Sequence, residues 1–249
     1  MTTITLLGTG TSTGVPHIGC KCDVCRSSDP RDKRLRSSVL IETTDLNLLI
    51  DAGPDLRQQL LQHPVDSLSG VLLTHEHYDH VGGLDDLRAF GDVNIYGEKN
   101  VLEAIRRNMP YCFNGNPYPG VPQLSLMEID DTPFQINNTL IQPIRVYHGK
   151  LPILGYRIGK MAYLTDVKYL PDSELENLQG LDILIISALR QAPHFAHMNL
   201  DEAIEKAGMI HAAKTWFTHF SHDLGKHAQV SLELPDNMEL AFDGLTLSL

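Results

Sequence analysis

Three histidines and an aspartate lie within six residues of each other, in the segment His75–His80, which reads HEHYDH. The segment follows a short apolar run at 71–74 that is typical of a buried strand, and two glycines and a helical pattern come after it. A loop between a strand and a helix can direct several side chains to one point. Because imidazole and carboxylate groups suit borderline divalent metals such as zinc, this spacing predicts a metal site.

The H-x-H-x-D-H pattern after a buried strand resembles the signature of the metallo-β-lactamase-fold hydrolases. That resemblance implies three further ligands at distant strand ends, in the order His, Asp, His. His148, Asp166 and His219 each end a short run of apolar, aromatic or β-branched residues, in that order. The implied fold is α/β, a four-layer αβ/βα sandwich of the metallo-β-lactamase type, with one domain of two pseudo-symmetric halves over residues 1–249.

The resemblance also implies a division of the ligands between two metal ions. The first ion would take three histidines: His75, His77 and His148. The second would take Asp79, His80 and His219, with Asp166 as the bridge. This nitrogen and oxygen set fits zinc or manganese, with iron as a third candidate. Two ions a few ångströms apart can share a hydroxide that attacks the substrate, so Asp79 also counts among the catalytic groups.

Two more residues are candidates for supporting roles. Asp51 follows an apolar run and would orient a ligand imidazole, although capping a helix near Pro54 is an equal alternative. Hydrolysis of a phosphodiester also needs a proton for the departing oxygen, and histidine is the usual donor near neutral pH. The family places a loop histidine over the metals, and His197 matches that position outside the ligand set. His194 is its competitor.

A second cluster lies near the start of the chain, where Cys20, Cys22 and Cys25 have the spacing C-x-C-x2-C. Three thiolates at this spacing can converge on one tetrahedral zinc, which needs a fourth ligand. We assign that place to His222, with His17 as the local alternative. A complete Cys3His set would make this zinc structural, because it leaves no open position for a substrate.

The two clusters together, with T-H-x-S-H near the end, resemble the PhnP-type cyclic phosphodiesterases of bacterial phosphonate breakdown. The likeness runs from Gly8-Thr9-Gly10 to the terminal strands. It implies hydrolysis of a small phosphodiester, cyclic ribosyl esters included, but not which diester. The segment 8–14 lacks the lysine of a phosphate-binding P-loop and is expected to form a tight, hydroxyl-rich turn.

Other functions of the same fold fit the sequence less well. A ribonuclease Z-like enzyme for RNA processing would want an extended basic arm, and only Arg106-Arg107 is basic in that sense. A β-lactamase would carry an export signal, and a flavodiiron protein would have Glu in place of His77. A non-catalytic coenzyme-biosynthesis protein would have lost ligands that this chain keeps.

The bulk composition restricts the partners and the compartment. The chain has 249 residues and a formal net charge of −11, which disfavours nonspecific binding to nucleic acid or to an anionic membrane. The N-terminal residues lack a basic and apolar signal segment, and no apolar run approaches the length of a membrane span. We therefore expect a cytoplasmic protein. A homodimer is compatible with the sequence but is not determined by it.

Short apolar runs predict eleven strands, and helical spacing predicts four helices. The predicted strands are 4–7, 39–41, 46–50, 71–74, 93–96, 139–147, 155–158, 162–164, 183–186, 215–218 and 239–242. The predicted helices are 54–63, 84–90, 100–108 and one opening at Asn199. The segment 111–123 has three prolines and two glycines, so we expect irregular structure there, either a surface loop or a wall beside the metals.

Overall fold

The structure is a computed structural model that describes residues 2–115 and 120–249. Its β-strands are Thr3–Gly8 (β1), Ser38–Glu42 (β2), Asn47–Ile50 (β3), Gly70–Leu72 (β4), Asp92–Gly97 (β5), Gln123–Glu128 (β6), Phe134–Ile136 (β7), Thr139–His148 (β8), Leu151–Ile158 (β9), Met161–Leu164 (β10), Ile183–Ser187 (β11), Lys214–Thr218 (β12), Met238–Leu240 (β13) and Leu245–Ser248 (β14). Its α-helices are Leu56–Gln62 (α1), Tyr78–Val81 (α2), Lys99–Asn108 (α3), Pro110–Phe113 (α4), Leu200–Ile210 (α5) and His227–Val230 (α6). Short 3-10 helices are Pro30–Asp32, Leu84–Phe90, Asp172–Glu174, Glu176–Leu178 and His222–Leu224.

The strands form two sheets of seven. The first has the order β14-β1-β2-β3-β4-β5-β6, and the second has the order β13-β12-β11-β10-β9-β8-β7. Neighbouring strands are parallel from β3 through β4 and β5 to β6 in the first sheet, and from β10 through β11 and β12 to β13 in the second. The carboxyl ends of parallel neighbours therefore lie along one edge of each sheet, where loops can carry functional side chains.

The two sheets pack face to face, and helices cover their outer faces. The alternation of side chains along a strand shows this directly. In β11, Ile183 and Ile185 join the core between the sheets, whereas Leu184 and Ile186 join the core beneath α5. A third core lies between the first sheet and the helices α1 and α3. These four layers confirm the predicted αβ/βα sandwich.

Strands buried on both faces appear in the sequence as nearly continuous apolar runs, which is why the central strands were predicted. Each of the eleven predicted strands overlaps an observed one. The strands β6, β7 and β14 were missed, and each forms an edge of a sheet.

Two predicted segments differ from the observed structure. Residues 84–90 form a 3-10 helix rather than an α-helix. The segment 111–123 is less irregular than expected, because α4 extends to Phe113 and β6 begins at Gln123. Part of that segment, 116–119, lies outside the described residues. Within the described chain, no helix combines the length and the apolar character needed to cross a membrane.

Candidate metal centre

The predicted metal ligands come from five different places in the fold and meet between the two sheets. Those from the first sheet follow β4, where His75 and His77 lie in the loop and Asp79 and His80 lie in α2. Those from the second sheet stand at or just after the ends of strands β8, β10 and β12: His148, Asp166 and His219.

The backbone at this site adopts an uncommon conformation. Asp51, Asp166 and His219 have φ angles of 62°, 55° and 62°, so three of the five non-glycine residues with positive φ in the described chain belong to the site. The left-handed conformation costs roughly 1–2 kcal/mol for a residue with a Cβ. A residue in this conformation ends the extended backbone and turns its side chain away from the strand direction. Backbone strain of this kind is concentrated at functional sites.

Ligand atoms of these residues lie close enough to share ions. Among the histidines and aspartates near this site, four sets have all their ligand atoms within 4.8 Å of one another: His75 with His77 and His148; His75 with His80 and Asp166; Asp79 with His80 and His219; and His148 with Asp166 and His197. The first and third sets reproduce the two triads that the resemblance implied.

Asp166 lies between the two triads. Its Oδ2 is 3.2 Å from Nε2 of His80, and its Oδ1 is 3.3 Å from Nε2 of His219. It also shares a ligand set with His75, which belongs to the other triad. A carboxylate in this place can offer one oxygen to each of two ions, as the bridging assignment requires.

Unpartnered buried atoms test whether the cluster fits metal ions. The Nε2 atoms of His75, His80 and His219 are buried and have no hydrogen-bond partner within the described chain. Leaving a buried polar atom unpaired costs about 1–3 kcal/mol, so such atoms need an explanation. Divalent ions would satisfy all three, and the donor set of imidazole and carboxylate fits them.

The ionisation of three of these groups also suits metal binding. His80 differs, because burial would lower its pKa but the carboxylates of Asp166, Asp51 and Asp79 raise it well above the usual value. Burial alone would raise the pKa of Asp79 and of Asp166, but the neighbouring histidines hold both well below the usual range. Burial lowers the pKa of His75 well below its usual value, which keeps the imidazole neutral. Ionised carboxylates and neutral imidazoles are the forms that bind metals.

Asp51 is fully buried and orients two of the histidines. Its Oδ2 accepts a hydrogen bond from Nδ1 of His80 at 2.7 Å, and the Thr74 hydroxyl donates to the same oxygen at 2.9 Å. The Thr74 oxygen is then left to accept from Nδ1 of His75 at 3.0 Å. Both imidazoles thus present Nε2 to the cluster. The alternative role as a helix cap does not hold, because the N-cap of α1 is Asp55.

A backbone carbonyl orients His148 in the same way. Its Nδ1 donates to the carbonyl oxygen of Ala196 at 2.9 Å, which leaves Nε2 available. No pattern in the sequence indicates this contact or the part played by Thr74. Both depend on which loops the fold brings together.

His197 does not stand apart from the ligands as expected. It is 9% exposed, its Nδ1 lies 3.7 Å from Oδ1 of Asp166, and it forms one of the four ligand sets. Burial lowers the pKa of His197 to about 3, although Asp166 opposes the shift. A neutral imidazole here can bind an ion or accept a proton. The competitor His194 is half-buried, with its ring centroid 5.1 Å from that of His197.

The cysteine cluster forms as a separate group. Cys20, Cys22, Cys25 and His222 bring their ligand atoms within 4.8 Å of one another, and Nδ1 of His222 is 3.4 Å from the sulfurs of Cys20 and Cys22. The Cys22 thiol has its pKa lowered to about 6, first by the backbone N–H of Cys25 and then by His222. The alternative ligand, His17, instead stacks on His222, with ring centroids 5.5 Å apart.

The segment 8–14 packs beside the site as a tight turn. The backbone N–H of Thr11 donates to the Phe220 carbonyl, and the Phe220 N–H donates to the Thr9 carbonyl, both at 2.9 Å. Both threonines are buried, and Thr9 donates its hydroxyl to Asp243 at 2.7 Å. These contacts tie the turn to the residue that follows His219.

Comparison with known proteins agrees with this geometry. Residues 46–220 match the family described as Beta-lactamase superfamily domain. The chain belongs to the β-lactamase superfamily. It is 38% identical to a new diphosphatase from the PhnP family, covering 100% of this chain and 98% of that one with a TM-score of 0.94. Zn2+-bound PqqB from Methylobacterium extorquens shares the fold at 20% identity. The match covers 99% of this chain and 100% of that one, with a TM-score of 0.80. The short form of human tRNase Z also shares the fold at 20% identity. The match covers 99% of this chain and 98% of that one, with a TM-score of 0.71.

Two curated relatives complete the comparison. An octanoyltransferase of Porphyromonas gingivalis is 48% identical over an alignment of 246 residues, which covers 96% of this chain and 50% of that protein. Coenzyme PQQ synthesis protein B of Rhodopseudomonas palustris is 35% identical over 121 residues, 43% of this chain and 39% of that protein. This superfamily chain thus spans about half the length, or less, of the curated relatives it matches. The recognition of the family from its motifs is confirmed.

Two glycines let the loop after β3 pack against the ligand-bearing helix of this superfamily member. A Cβ on Gly53 would lie 2.1 Å from the Asp79 carbonyl oxygen, and a Cβ on Gly83 would lie 2.0 Å from the Gly53 carbonyl oxygen. Both obstacles are backbone atoms, which cannot move aside as a flexible side chain can. The Ala52 N–H donates to the His80 carbonyl at 2.7 Å and holds the same contact.

We expect Gly53→Ala to lower the free energy of unfolding by about 2–4 kcal/mol, because the loop and α2 must separate. Chemical denaturation of the metal-free protein would measure this. The control is Gly208→Ala in α5, where a Cβ meets nothing within 4 Å outside its helix, and which should gain about 0.5–1 kcal/mol. Equal stabilities of the Gly53→Ala variant and the parent would contradict the packing argument.

Metal content is the direct test of both clusters. We expect protein purified without chelators to hold three ions per chain, two at the histidine and aspartate cluster and one at the cysteines. Cys22→Ser should lose one ion, measured as zinc, and keep the other two. Cys112→Ser is the matched control, because Cys112 belongs to no ligand set within the described residues. A total near one ion that Cys22→Ser does not change would exclude the arrangement.

Proposed function

We propose that this chain is a metal-dependent hydrolase, specifically a phosphodiesterase that acts on a small phosphate ester, cyclic ribosyl diesters included. The observation that supports this most is the full-length similarity, at 38% identity, to a diphosphatase of the PhnP family. The clustered imidazole and carboxylate ligands support the same chemistry, because dinuclear centres of this type catalyse phosphoryl transfer to water.

The proposed ligands keep the roles that the resemblance implied. His75, His77 and His148 would hold one ion, Asp79, His80 and His219 the other, and Asp166 would bridge them. The ions would be zinc or manganese, with iron as a third candidate, and a structural zinc would sit on the three cysteines and His222. When bound, the pair of ions would activate water as the nucleophile and stabilise the negative charge that grows on the phosphate oxygens.

The chain's own residues would prepare and complete the reaction. Asp51 and the Ala196 carbonyl hold the ligand imidazoles in one tautomer and one orientation. His75, His80, Asp166 and His219 are buried, which limits bulk water around them and strengthens their electrostatic interactions, whereas His77 is exposed. His197 would give a proton to the departing ester oxygen as its bond to phosphorus breaks. Because burial lowers the pKa of this imidazole to about 3, the negative charge of the bound phosphate would have to raise that pKa first.

The partners belong to the same proposal. The substrate would be a small diester, with neither nucleic acid nor membrane as a partner, since the net charge of −11 disfavours both. A cytoplasmic location and a homodimeric state are compatible with this function.

One relative favours a second candidate, which is acyl transfer or hydrolysis of an octanoyl ester. The octanoyltransferase of Porphyromonas gingivalis is 48% identical to this chain, but the chain spans only half of that protein. The similarity to tRNase Z and PqqB structures, at 20% identity, supports only the fold.

A substrate panel would separate these functions. The metal-loaded protein would be offered bis(p-nitrophenyl) phosphate, a cyclic ribosyl phosphate, a phosphate monoester, an octanoyl thioester and a precursor tRNA. The proposal expects turnover of the diesters at rates at least tenfold above the other substrates. Faster turnover of the thioester than of the diesters would replace the phosphodiesterase function with acyl chemistry. Turnover of the precursor tRNA alone would replace it with RNA processing.

A further inference from the structure

One ligand of the cluster lacks the support that its neighbours have. The imidazoles of His75, His80 and His148 each have a hydrogen-bond partner at Nδ1. Nδ1 of His219 is buried and has no partner within the described chain. A hydrogen bond at this atom usually fixes the ring of a metal-binding histidine. The orientation of His219 must therefore come from its backbone, whose φ of 62° is itself uncommon.

The residue after His219 is held at both its backbone and its side chain. The N–H of Phe220 donates to the Thr9 carbonyl, and its own carbonyl accepts from the Thr11 N–H. Its ring is 1% exposed, and the guanidinium carbon of Arg34 lies over it, 4.3 Å from the ring centroid. A cation over an aromatic face is attracted to it, more so when both are withdrawn from water. Arg34 thus fixes the ring of the residue on which the His219 backbone depends.

Arg34 is in turn fixed by its own hydrogen bonds. One terminal nitrogen donates to the Thr9 hydroxyl at 2.8 Å and to the Ala241 carbonyl at 2.7 Å, and the other donates to Nδ1 of His227 at 3.2 Å. Arg34 is 6% exposed. Burial lowers the pKa of its guanidinium to about 10, with Asp243 opposing the shift, so the group stays charged near neutral pH.

The same arginine also supports the turn that holds the Phe220 backbone. The Thr9 hydroxyl accepts from Arg34 and donates to Oδ1 of Asp243 at 2.7 Å, while Oδ2 of Asp243 accepts from the Leu35 N–H at 2.6 Å. The carbonyl of Thr9 is the acceptor for the Phe220 N–H. Within the described chain, the guanidinium of Arg34 bonds to none of the metal ligands, so any effect on them passes through Thr9 and Phe220.

We propose that Arg34 is a positioning residue for the second ion: it holds Phe220 in place, and Phe220 fixes the backbone that aims His219 at the ion shared with Asp79 and His80. This inference rests on the proposed metal-dependent function and deepens it. The triad for the first ion has contacts of its own that do not include Arg34. Loss of the guanidinium should therefore weaken one ion of the pair and leave the other unchanged.

Binding of Mn2+ to the histidine and aspartate cluster, with zinc left on the cysteines, tests this directly by equilibrium dialysis. The parent should bind two Mn2+ ions per chain. Arg34→Met keeps most of the side-chain volume but removes the charge and the donors. It should bind one Mn2+ with the affinity of the parent and the other about tenfold to a hundredfold more weakly. Activity on bis(p-nitrophenyl) phosphate should return as Mn2+ is raised, with KM unchanged.

Two further variants keep the test independent of the folding of Arg34→Met. Arg34→Lys retains the charge but not the planar face, so it should recover only part of the lost affinity. Phe220→Leu retains apolar bulk without the aromatic face and should weaken the same ion. The double variant Arg34→Met with Phe220→Leu should bind that ion within about twofold of the weaker single variant, because both changes remove one contact.

Arg157→Met is the matched control. The guanidinium of Arg157 also donates to three backbone carbonyls, those of Gly159, Asn177 and Gln179. It lies near the end of β9, whereas the start of β9 pairs with His148. Its loss should lower the free energy of unfolding but leave both Mn2+ affinities as they are in the parent.

The outcomes separate this role from the proposed function. Parental affinities for both ions in Arg34→Met, or in Arg34→Lys and Phe220→Leu, would overturn the positioning role and leave the metal centre intact. Equal weakening of both ions would also overturn it, because Arg34 would then support only the fold. A parent that binds no pair of ions would overturn the metal centre and this inference together. A parent that binds the pair, shows the single weakened ion in Arg34→Met and hydrolyses no diester would overturn the phosphodiesterase alone.

Discussion

Asp166→Ala should abolish the paired ions and reduce diester hydrolysis by at least a thousandfold, while the zinc at the cysteines remains. The reason is geometric. Asp166 is the carboxylate that lies within 3.3 Å of both His80 and His219 and also shares a ligand set with His75. Its removal would take a ligand from each of the two proposed ions.

Elemental analysis and steady-state kinetics on the same preparation would measure both effects. Asp172→Ala is the matched control, because Asp172 is an exposed aspartate in a short 3-10 helix and belongs to no ligand set within the described residues. It should keep three ions and full activity. If Asp166→Ala still turned over diesters within about tenfold of the parent, a difference of roughly 1.4 kcal/mol in the barrier, Asp166 would not be the bridge.

The parts of the fold that the sequence predicted are those with the strongest burial. In β10 and β11 both faces are covered, so every residue of the two strands except Ser187 is apolar or aromatic. The missed strands β6, β7 and β14 lie at sheet edges, where one face or one side meets solvent. In β6 no residue is fully buried, and its pattern resembles a polar loop.

The residues of the candidate site likewise fall into those that the sequence predicts and those that it does not. The ligands carry their own signal, because the order of the full set along the chain matches a known pattern, although each His or Asp alone is a weak indication. The groups that orient them carry none. Thr74 is an ordinary strand residue, and Ala196 acts through a backbone oxygen 48 residues away from His148. Contacts of this kind follow from how loops dock, which no local pattern encodes.

The position of His197 relative to the ligands is also something that the sequence does not predict. The sequence indicated a loop histidine near the site but not its distance from the ligands. That distance depends on the clamp between the loop and the β8–β9 turn, through Ala196 and Gly149. The result is a histidine close enough to Asp166 to act either as a proton donor or as a further ligand.

A pair of leaving groups distinguishes these two roles. The p-nitrophenolate of bis(p-nitrophenyl) phosphate departs almost without protonation, whereas the alkoxide of a sugar diester needs a proton. We expect His197→Ala to keep both ions and much of its activity on the activated ester. On the sugar-type diester it should lose on the order of 10² to 10⁴, the usual contribution of general acid catalysis.

The control for this prediction is His194→Ala, in the same loop and half-buried, which should affect both esters little. Loss of an ion from His197→Ala, with equal losses on the two esters, would make His197 a ligand through its contact with Asp166 and His148. Equal losses with both ions retained would mean that His197 binds the phosphate. A leaving-group effect in His194→Ala alone would transfer the proton donor to that residue.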